Sequence, residues 1–99
     1  MRSLADVRRR LQPGVRLLCV ENTMRPELNG RVRLIEKVQT KAFTWIHAIG
    51  DRPSWTYLPN AKCVTVVDDD TFSVRLADAY GRVVEPGGHV TLRFLTEEA

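Results

Sequence analysis

The sequence predicts a single, mainly β domain that carries one short helix at its N-terminus. The chain has 99 residues, of which 43% are hydrophobic and 27% charged, and these proportions are typical of one folded domain rather than of a disordered chain. Apolar residues recur at helical spacing only within residues 3–11. From residue 15 onward, apolar and polar residues alternate in short runs separated by turn residues, which is the pattern of β-strands.

The N-terminal helix is predicted over residues 3–11. Ser3 begins it with an N-cap pattern, and Pro13-Gly14 ends it. Its apolar face is formed by three residues at helical spacing: Leu4, Val7 and Leu11. The opposite face carries three consecutive arginines, Arg8, Arg9 and Arg10.

Period-two alternation predicts six or seven short strands after the helix. In chain order they span residues 15–20, 31–38, 42–49, 54–58, 62–67, 71–77 and 89–95. A single helical turn at Pro59-Asn60-Ala61 precedes the fifth strand, and a tight acidic turn at Asp68-Asp69-Asp70 follows it. Residues 78–88 are loop-like, with a short strand at 82–85 as an alternative.

The register of the strand at 31–38 decides which of its residues face the core. We take its even-numbered apolar residues as inward: Val32, Leu34 and Val38. This register turns three cations to the solvent face: Arg31, Arg33 and Lys37. The same alternation predicts six core residues: Val32, Leu34, Val64, Val66, Phe72 and Leu92.

Two cysteines are too few for a disulfide framework. Cys19 and Cys63 both lie in apolar runs, where a free cysteine behaves as a small buried hydrophobe. We therefore expect reduced core thiols in a cytoplasmic protein, and a bridge between neighbouring strands is the alternative. No run approaches the roughly 20 apolar residues of a membrane span, and no signal peptide is recognisable, so we expect no membrane association.

Residues 13–67 resemble a Src-homology-three-like small β-barrel of the kind found in KOW and Tudor modules. A strand after Pro13-Gly14 leads into a long polar loop at 22–30, three strands with short turns follow, and the segment LPNAKCVTV leads into the last barrel strand. Gly30 precedes the second strand, as in KOW-type modules. The resemblance implies a barrel at 13–67, with the helix at 3–11 before it and a C-terminal β-hairpin at 71–95 after it, in one domain over residues 1–99.

Two features of related modules are not recognisable in this chain. The acidic loop and paired tryptophans of polyproline-binding members are replaced by a loop with Arg25 and one clear acid, Glu27. The aromatic cage that binds methyl-lysine is not found either, so neither specificity is carried over. The compact, Arg- and Val-rich chain also resembles small proteins of actinobacteria and their phages.

Catalytic and cofactor motifs are not found in the sequence. It has no phosphate-binding loop, no Gly-x-Ser-x-Gly and no His-Glu-x-x-His. Four residues could act as zinc ligands, but they lack the paired spacing of zinc sites: Cys19, Cys63, His47 and His89. The aspartate run lacks the spaced oxygen ligands of a calcium loop. We therefore expect no enzyme activity, metal or cofactor.

Positive charge is concentrated in the first part of the chain. Residues 1–41 carry ten basic and four acidic side chains, and residues 42–99 carry five and eight, for a net charge of +3. Cations next to aromatic rings on neighbouring strands are what single-strand binding requires. We therefore predict a nucleic-acid interface formed by Arg16, Arg25, Arg31, Arg33, Lys37, Lys41, Trp45, Trp55 and Tyr57.

Two binding functions remain open on the sequence. The first is a non-enzymatic, nucleic-acid-associated module. The alternative is a phage- or mobile-element-type accessory protein that binds and modulates a host protein. Exposed aromatic rings without flanking cations would favour the second function, whereas a continuous basic surface around Trp45 or Trp55 would favour the first. The oligomeric state, and pairing of the last strand at 89–95 with another chain, are left open.

Overall fold

The computed structural model describes residues 1–39, 41–46, 54–58, 61–76 and 88–95. Within these ranges the chain forms helix α1 at Leu4–Arg10, 3-10 turns at Pro26–Leu28 and Ala61–Cys63, and strands β1 at Arg16–Asn22, β2 at Val32–Gln39, β3 at Ala42–Ile46, β4 at Ser54–Tyr57, β5 at Val64–Val66, β6 at Thr71–Arg75 and β7 at His89–Leu95. The predicted mainly β architecture with a short N-terminal helix is confirmed. The predicted end of the third strand at 47–49, with His47, and the alternative strand at 82–85 lie outside the described residues.

All seven strands belong to one antiparallel sheet in the order β4-β3-β2-β1-β7-β6-β5. β6 pairs with β7, as expected of a C-terminal hairpin. β7 is also hydrogen-bonded to β1, so this last strand lies inside the sheet and has no free edge for a second chain. Among the described residues no hydrogen-bonded pairing joins the edge strands β4 and β5, so the sheet is not closed and the barrel is not confirmed.

α1 packs against one face of the sheet through the apolar residues that the helical spacing predicted. Leu4, Val7 and Leu11 are all buried against the strands. Gly14, at a φ of +89°, turns the chain after the helix, and its N–H donates to the Ile35 carbonyl at 2.8 Å. The turn that follows the helix is thereby hydrogen-bonded to β2.

The core lies between α1 and the inner face of the sheet. Phe72 and Leu92 are buried, as predicted, and the Phe72 ring lies 5.4 Å from that of Phe94, centroid to centroid. Val64 and Val66 are half-buried and pack against this cluster.

Both cysteines are free and buried, as the sequence predicts. Desolvation raises the pKa of the Cys19 thiol above its usual 9.0, and the nearby positive charge of Arg33 opposes this rise. A buried thiol with a raised pKa is chemically inert near neutral pH.

The predicted register of β2 is wrong. Val32 is 40% exposed, Leu34 is half-buried, and the side chains that face the core are Arg33 and Ile35. Val38, also expected inside, is exposed. The three predicted outward cations therefore do not share one face.

A β-bulge explains part of this error. The pairing of β2 with β3 shifts register between Ile35 and Lys37, so two successive residues lie on the same side of the strand. The register of Ile35 is fixed by two backbone hydrogen bonds to the segment before β1, from its N–H to the Val15 carbonyl and from the Gly14 N–H to its own carbonyl. Arg33, two residues earlier, therefore faces inward as well.

Candidate nucleic-acid interface

Four of the nine predicted interface residues meet at one cavity of about 200 Å³. Arg33 on β2, Trp45 on β3 and Trp55 on β4 come from three adjacent strands, and Arg25 comes from the loop between β1 and β2. Apolar and uncharged polar side chains complete the described lining: Asn22, Met24, Leu28, Thr56, Leu76 and Val90. The cavity thus combines aromatic rings, guanidinium groups and an apolar wall.

Arg33 and Trp45 form the buried wall of this cavity. The Arg33 guanidinium carbon lies 4.7 Å from the centre of the Trp45 ring, within the range of a cation–π contact. Arg33 is 7% exposed and Trp45 is 3% exposed. These two side chains are therefore preorganised parts of the wall, and neither is a surface residue that follows a phosphate backbone.

Trp55 is the exposed member of the tryptophan pair. It is 47% exposed on β4, at the edge of the sheet, and its ring is nearly parallel to that of Tyr57, at 12° and 6.2 Å between centroids. In register, Trp55 lies opposite Thr44, and Tyr57 lies opposite Ala42. The small side chains on β3 leave room for both rings, and the aromatic pair is available for stacking.

Lys37 lies in the same row as Trp55, two strands away. It is opposite Thr44, which in turn is opposite Trp55. The Thr44 hydroxyl accepts the Lys37 N–H at 3.1 Å and lies 3.4 Å from a Glu36 carboxylate oxygen. This buried hydroxyl therefore holds the register of β2 against β3 at Lys37. Strands are about 4.8 Å apart, so Lys37 is within reach of a phosphate next to a base stacked on Trp55.

The β1–β2 loop is an ordered unit that positions Arg25. The Asn22 side-chain oxygen accepts the N–H groups of Met24 and Arg25, each at 3.0 Å, as in an Asx turn. The Asn29 side-chain oxygen in turn accepts the Asn22 N–H at 2.7 Å. Leu28, buried in the 3-10 turn, holds the loop against the core.

Arg25 forms an exposed ion pair with Glu27. Its Nε donates to Glu27 Oε1 at 3.1 Å. The backbone N–H of Glu27 and then the Arg25 side chain lower the pKa of the Glu27 carboxyl below its usual 4.5. Exposed pairs of this kind contribute little to stability, so Arg25 can exchange its partner for another anion at small cost.

The remaining predicted cations are exposed but do not line the cavity. Lys41 precedes β3, and its carbonyl accepts the N–H of Leu58 at 2.6 Å beside the aromatic pair. Arg31 precedes β2, and Arg16 lies on β1 opposite Leu34. The structure therefore brings Lys37 and Lys41 near the aromatic pair and leaves Arg16 and Arg31 elsewhere on the surface.

Two of the three arginines of α1 attach the helix to residues next to the strands, and the third forms an ion pair within the helix. Arg8 donates to the Leu58 carbonyl at 3.1 Å, and Arg9 pairs with Asp6 on the helix itself. Arg10 pairs with Asp70 at 3.0 Å, while its guanidinium carbon lies 4.4 Å from the Phe94 ring centre. The basic character of the first half of the chain is thus partly used in structural contacts.

Neither a metal centre nor a membrane-spanning helix is found within the described ranges. There, no group of three His, Cys, Asp or Glu side chains is arranged as metal ligands. His89 forms a contact of 2.8 Å with Glu21 through Nε2, and His47 is outside these ranges. No described helix has the length and apolar character needed to cross a membrane.

Comparisons of the chain with protein-family models, with curated proteins and with solved structures find no match.

Proposed function

We propose that the protein is a non-enzymatic module that binds single-stranded nucleic acid, with one unpaired base at the mouth of the cavity against Trp55. The observation that carries the proposal is the convergence of four predicted interface residues on that cavity: Arg25, Arg33, Trp45 and Trp55. An aromatic ring beside a concave, partly polar wall is the arrangement that proteins use for splayed-out bases.

The exposed aromatic pair supports a single-stranded ligand rather than a duplex. A base can stack on the Trp55 ring only if its own face is free, which is the case in single strands, loops and ends. Tyr57 extends the same aromatic surface along β4 and offers a place for a neighbouring base.

Cations on two sides of Trp55 support contacts with the phosphate backbone. Arg25 lies on the loop side of the cavity, and Lys37 and Lys41 lie on the side of β2 and β3. A strand crossing Trp55 would pass from one group to the other. Arg75, an exposed cation on β6, is five strands away from β4 in the sheet and provides a matched control.

A fluorescence titration with labelled DNA and RNA oligonucleotides at several salt concentrations tests the proposal. Trp55→Ala should weaken binding by about 1–3 kcal/mol through lost stacking, and Trp55→Phe should retain most of the affinity. Replacing Arg25, Lys37 and Lys41 together by Gln should lower the log–log salt slope by about 0.7 for each lost phosphate contact. Arg75→Gln should leave the slope unchanged.

Two results would contradict the proposal. One is the absence of oligonucleotide binding by the wild-type protein at low salt. The other is binding that Trp55→Ala leaves unchanged, which would show that any affinity comes from charge alone and not from the cavity.

The small-barrel resemblance stays part of the proposal. It is supported by Gly30, which lies two residues before the start of β2 at a φ of +83°, and by the 3-10 turn at Ala61–Cys63 that leads into β5. Cross-strand NOEs measured over the whole chain test it: contacts between the edge strands β4 and β5 would close the sheet into a barrel, and their absence would reject it.

A further inference from the structure

A second surface lies on the outer side of the sheet, away from α1. We define the Leu–Arg face by seven residues on β1, β2 and β7: Arg16, Leu18, Val20, Val32, Leu34, Arg93 and Leu95. Val20 is 46% exposed and Val32 is 40% exposed, and the three leucines are half-buried. Their sequence neighbours Leu17 and Cys19 point into the core, so the outward direction follows from the strand pleat.

Leucine and arginine alternate across this face in two adjacent rows. Arg16 lies between Leu34 and Leu95 in one row. Leu18 lies between Val32 and Arg93 in the next. Arg16 is therefore flanked by a leucine on each side, whereas Arg93 lies at the edge of the face, between Leu18 and Thr71 of β6.

Acidic groups lie only at the margins of the face among the described residues. Glu21, next to Val20, is engaged by His89 at 2.8 Å. Asp68 lies near Arg93, which contributes to the lowered pKa of Asp68, although the Asp70 N–H contributes most. The centre of the face is thus apolar and positive.

We propose that the Leu–Arg face docks a short segment of a partner protein in which apolar and acidic residues alternate. Its apolar side chains would cover Leu18, Val32 and Leu34, and its carboxylates would pair with Arg16 and Arg93. The register places Trp55 on this same outer side of the sheet, since its partner Thr44 alternates with the core residues Phe43 and Trp45. The inference is nevertheless argued from β1, β2 and β7 and does not depend on nucleic-acid binding.

Size and charge both favour a segment over a second copy of the chain. Three strands and five residues span about 15 by 17 Å, far less than the roughly 800 Å² per partner of a stable protein interface. Two copies joined face to face would also bring four arginines together, and like charges at an interface are costly. An acidic, amphipathic segment avoids both problems.

A selection from a random 12-residue display library tests the proposal on the folded protein. Clones enriched on the wild type should combine acidic and apolar residues. A synthetic version of the most enriched peptide should lose at least tenfold in affinity for Val32→Asp and for the double variant Arg16→Glu with Arg93→Glu. Val67→Asp is the matched control, since Val67 is an exposed apolar residue outside the face, and it should bind the peptide as the wild type does.

Charge reversal provides the sharpest comparison. A peptide with its acids changed to lysine should not bind the wild type but should bind the arginine-to-glutamate double variant. Circular dichroism melts confirm that each variant is folded, and Trp55→Ala should bind the acidic peptide normally, which separates this test from that of the cavity. The proposal is overturned if enriched peptides are basic, if they bind Val32→Asp undiminished, or if light scattering shows a dimer that Val32→Asp dissociates.

Discussion

Arg33 at the cavity and Arg16 on the Leu–Arg face come from neighbouring, paired strands but occupy opposite sides of the sheet. Arg33 is buried and lies over Trp45, so its charge is fixed as part of a wall. Arg16 is exposed between two leucines and is available to a partner. The difference shows that an arginine in a β-rich sequence is assigned to structure or to binding by strand register, and that one residue of slip exchanges the two roles.

The two tryptophans provide the largest test of this comparison. Trp45→Ala should lower the free energy of unfolding by about 3–5 kcal/mol, because it leaves a void and removes the ring under Arg33. Trp55→Ala should cost less than about 1 kcal/mol, since its side chain is half exposed. Urea titrations of both variants measure the difference. Equal losses in the free energy of unfolding would mean that the two rings do not differ in burial.

The register of β2 can be tested with two neighbouring residues. Ile35→Ala should cost about 2–5 kcal/mol because Ile35 is buried, whereas Leu34→Ala should cost about 1 kcal/mol or less because Leu34 is half-buried on the outer face. The alternation of the sequence predicts the opposite order. Thermal or urea unfolding of the pair decides between the two registers.

Cys19 reports on the environment next to Arg33. Since burial raises its pKa above 9.0 in the folded protein, the native state holds the thiol proton more tightly than the unfolded chain does. The free energy of unfolding should therefore be unaffected by this group below pH 9 and should fall as the pH rises above it. Cys19→Ala should remove that part of the alkaline decrease in urea titrations, and iodoacetamide should label Cys19 only after unfolding.

Asp68, at the margin of the Leu–Arg face, should give the smallest effect. The Asp70 N–H and the Thr71 side chain lower its pKa below 3.8, so its contribution to stability is present above that pH and is lost as the pH falls. Asp68→Asn should make acid unfolding slightly less sensitive to pH. Asp69→Asn, in the same turn, is the matched control, and an identical change in both variants would contradict this assignment.

Local sequence patterns were sufficient to locate the helix, the strands and the thiols. Leu4, Val7 and Leu11 have no alternative apolar face. Cys19 lies within an apolar run, and Cys63 begins one. These features depend on residues close together in the chain. They could therefore be predicted from the sequence.

The register of β2 could not be predicted for a physical reason. The strand has apolar residues of both parities, Leu34 and Ile35 next to each other, so alternation alone allows either face to be the inner one. Two contacts with β3 determine which face is the inner one. They are the bulge between Ile35 and Lys37 and the packing of Arg33 over the Trp45 ring. Consecutive apolar residues in an otherwise alternating strand were the available signal for a bulge.

The candidate site was predicted in composition but not in arrangement. Trp55 and Arg25 were recognised, yet their convergence requires the order of three strands and a folded loop. Asn22, Met24 and Leu28 in that loop were missed, although two asparagines seven residues apart, the second followed by Gly30, were a turn signal in the sequence.

The pairing of β1 with β7 has a consequence for synthesis of the chain. Leu17 pairs with Phe94, so the centre of the sheet joins two strands from opposite ends of the sequence. Contacts between such distant residues slow folding. During translation, the edge of β1 and the edge of β6 that pair with β7 in the folded protein would both stay unpaired until β7 leaves the ribosome. The nascent protein is therefore expected to depend on chaperones late in synthesis, and a ribosome stalled before residue 89 would carry two incomplete sheets.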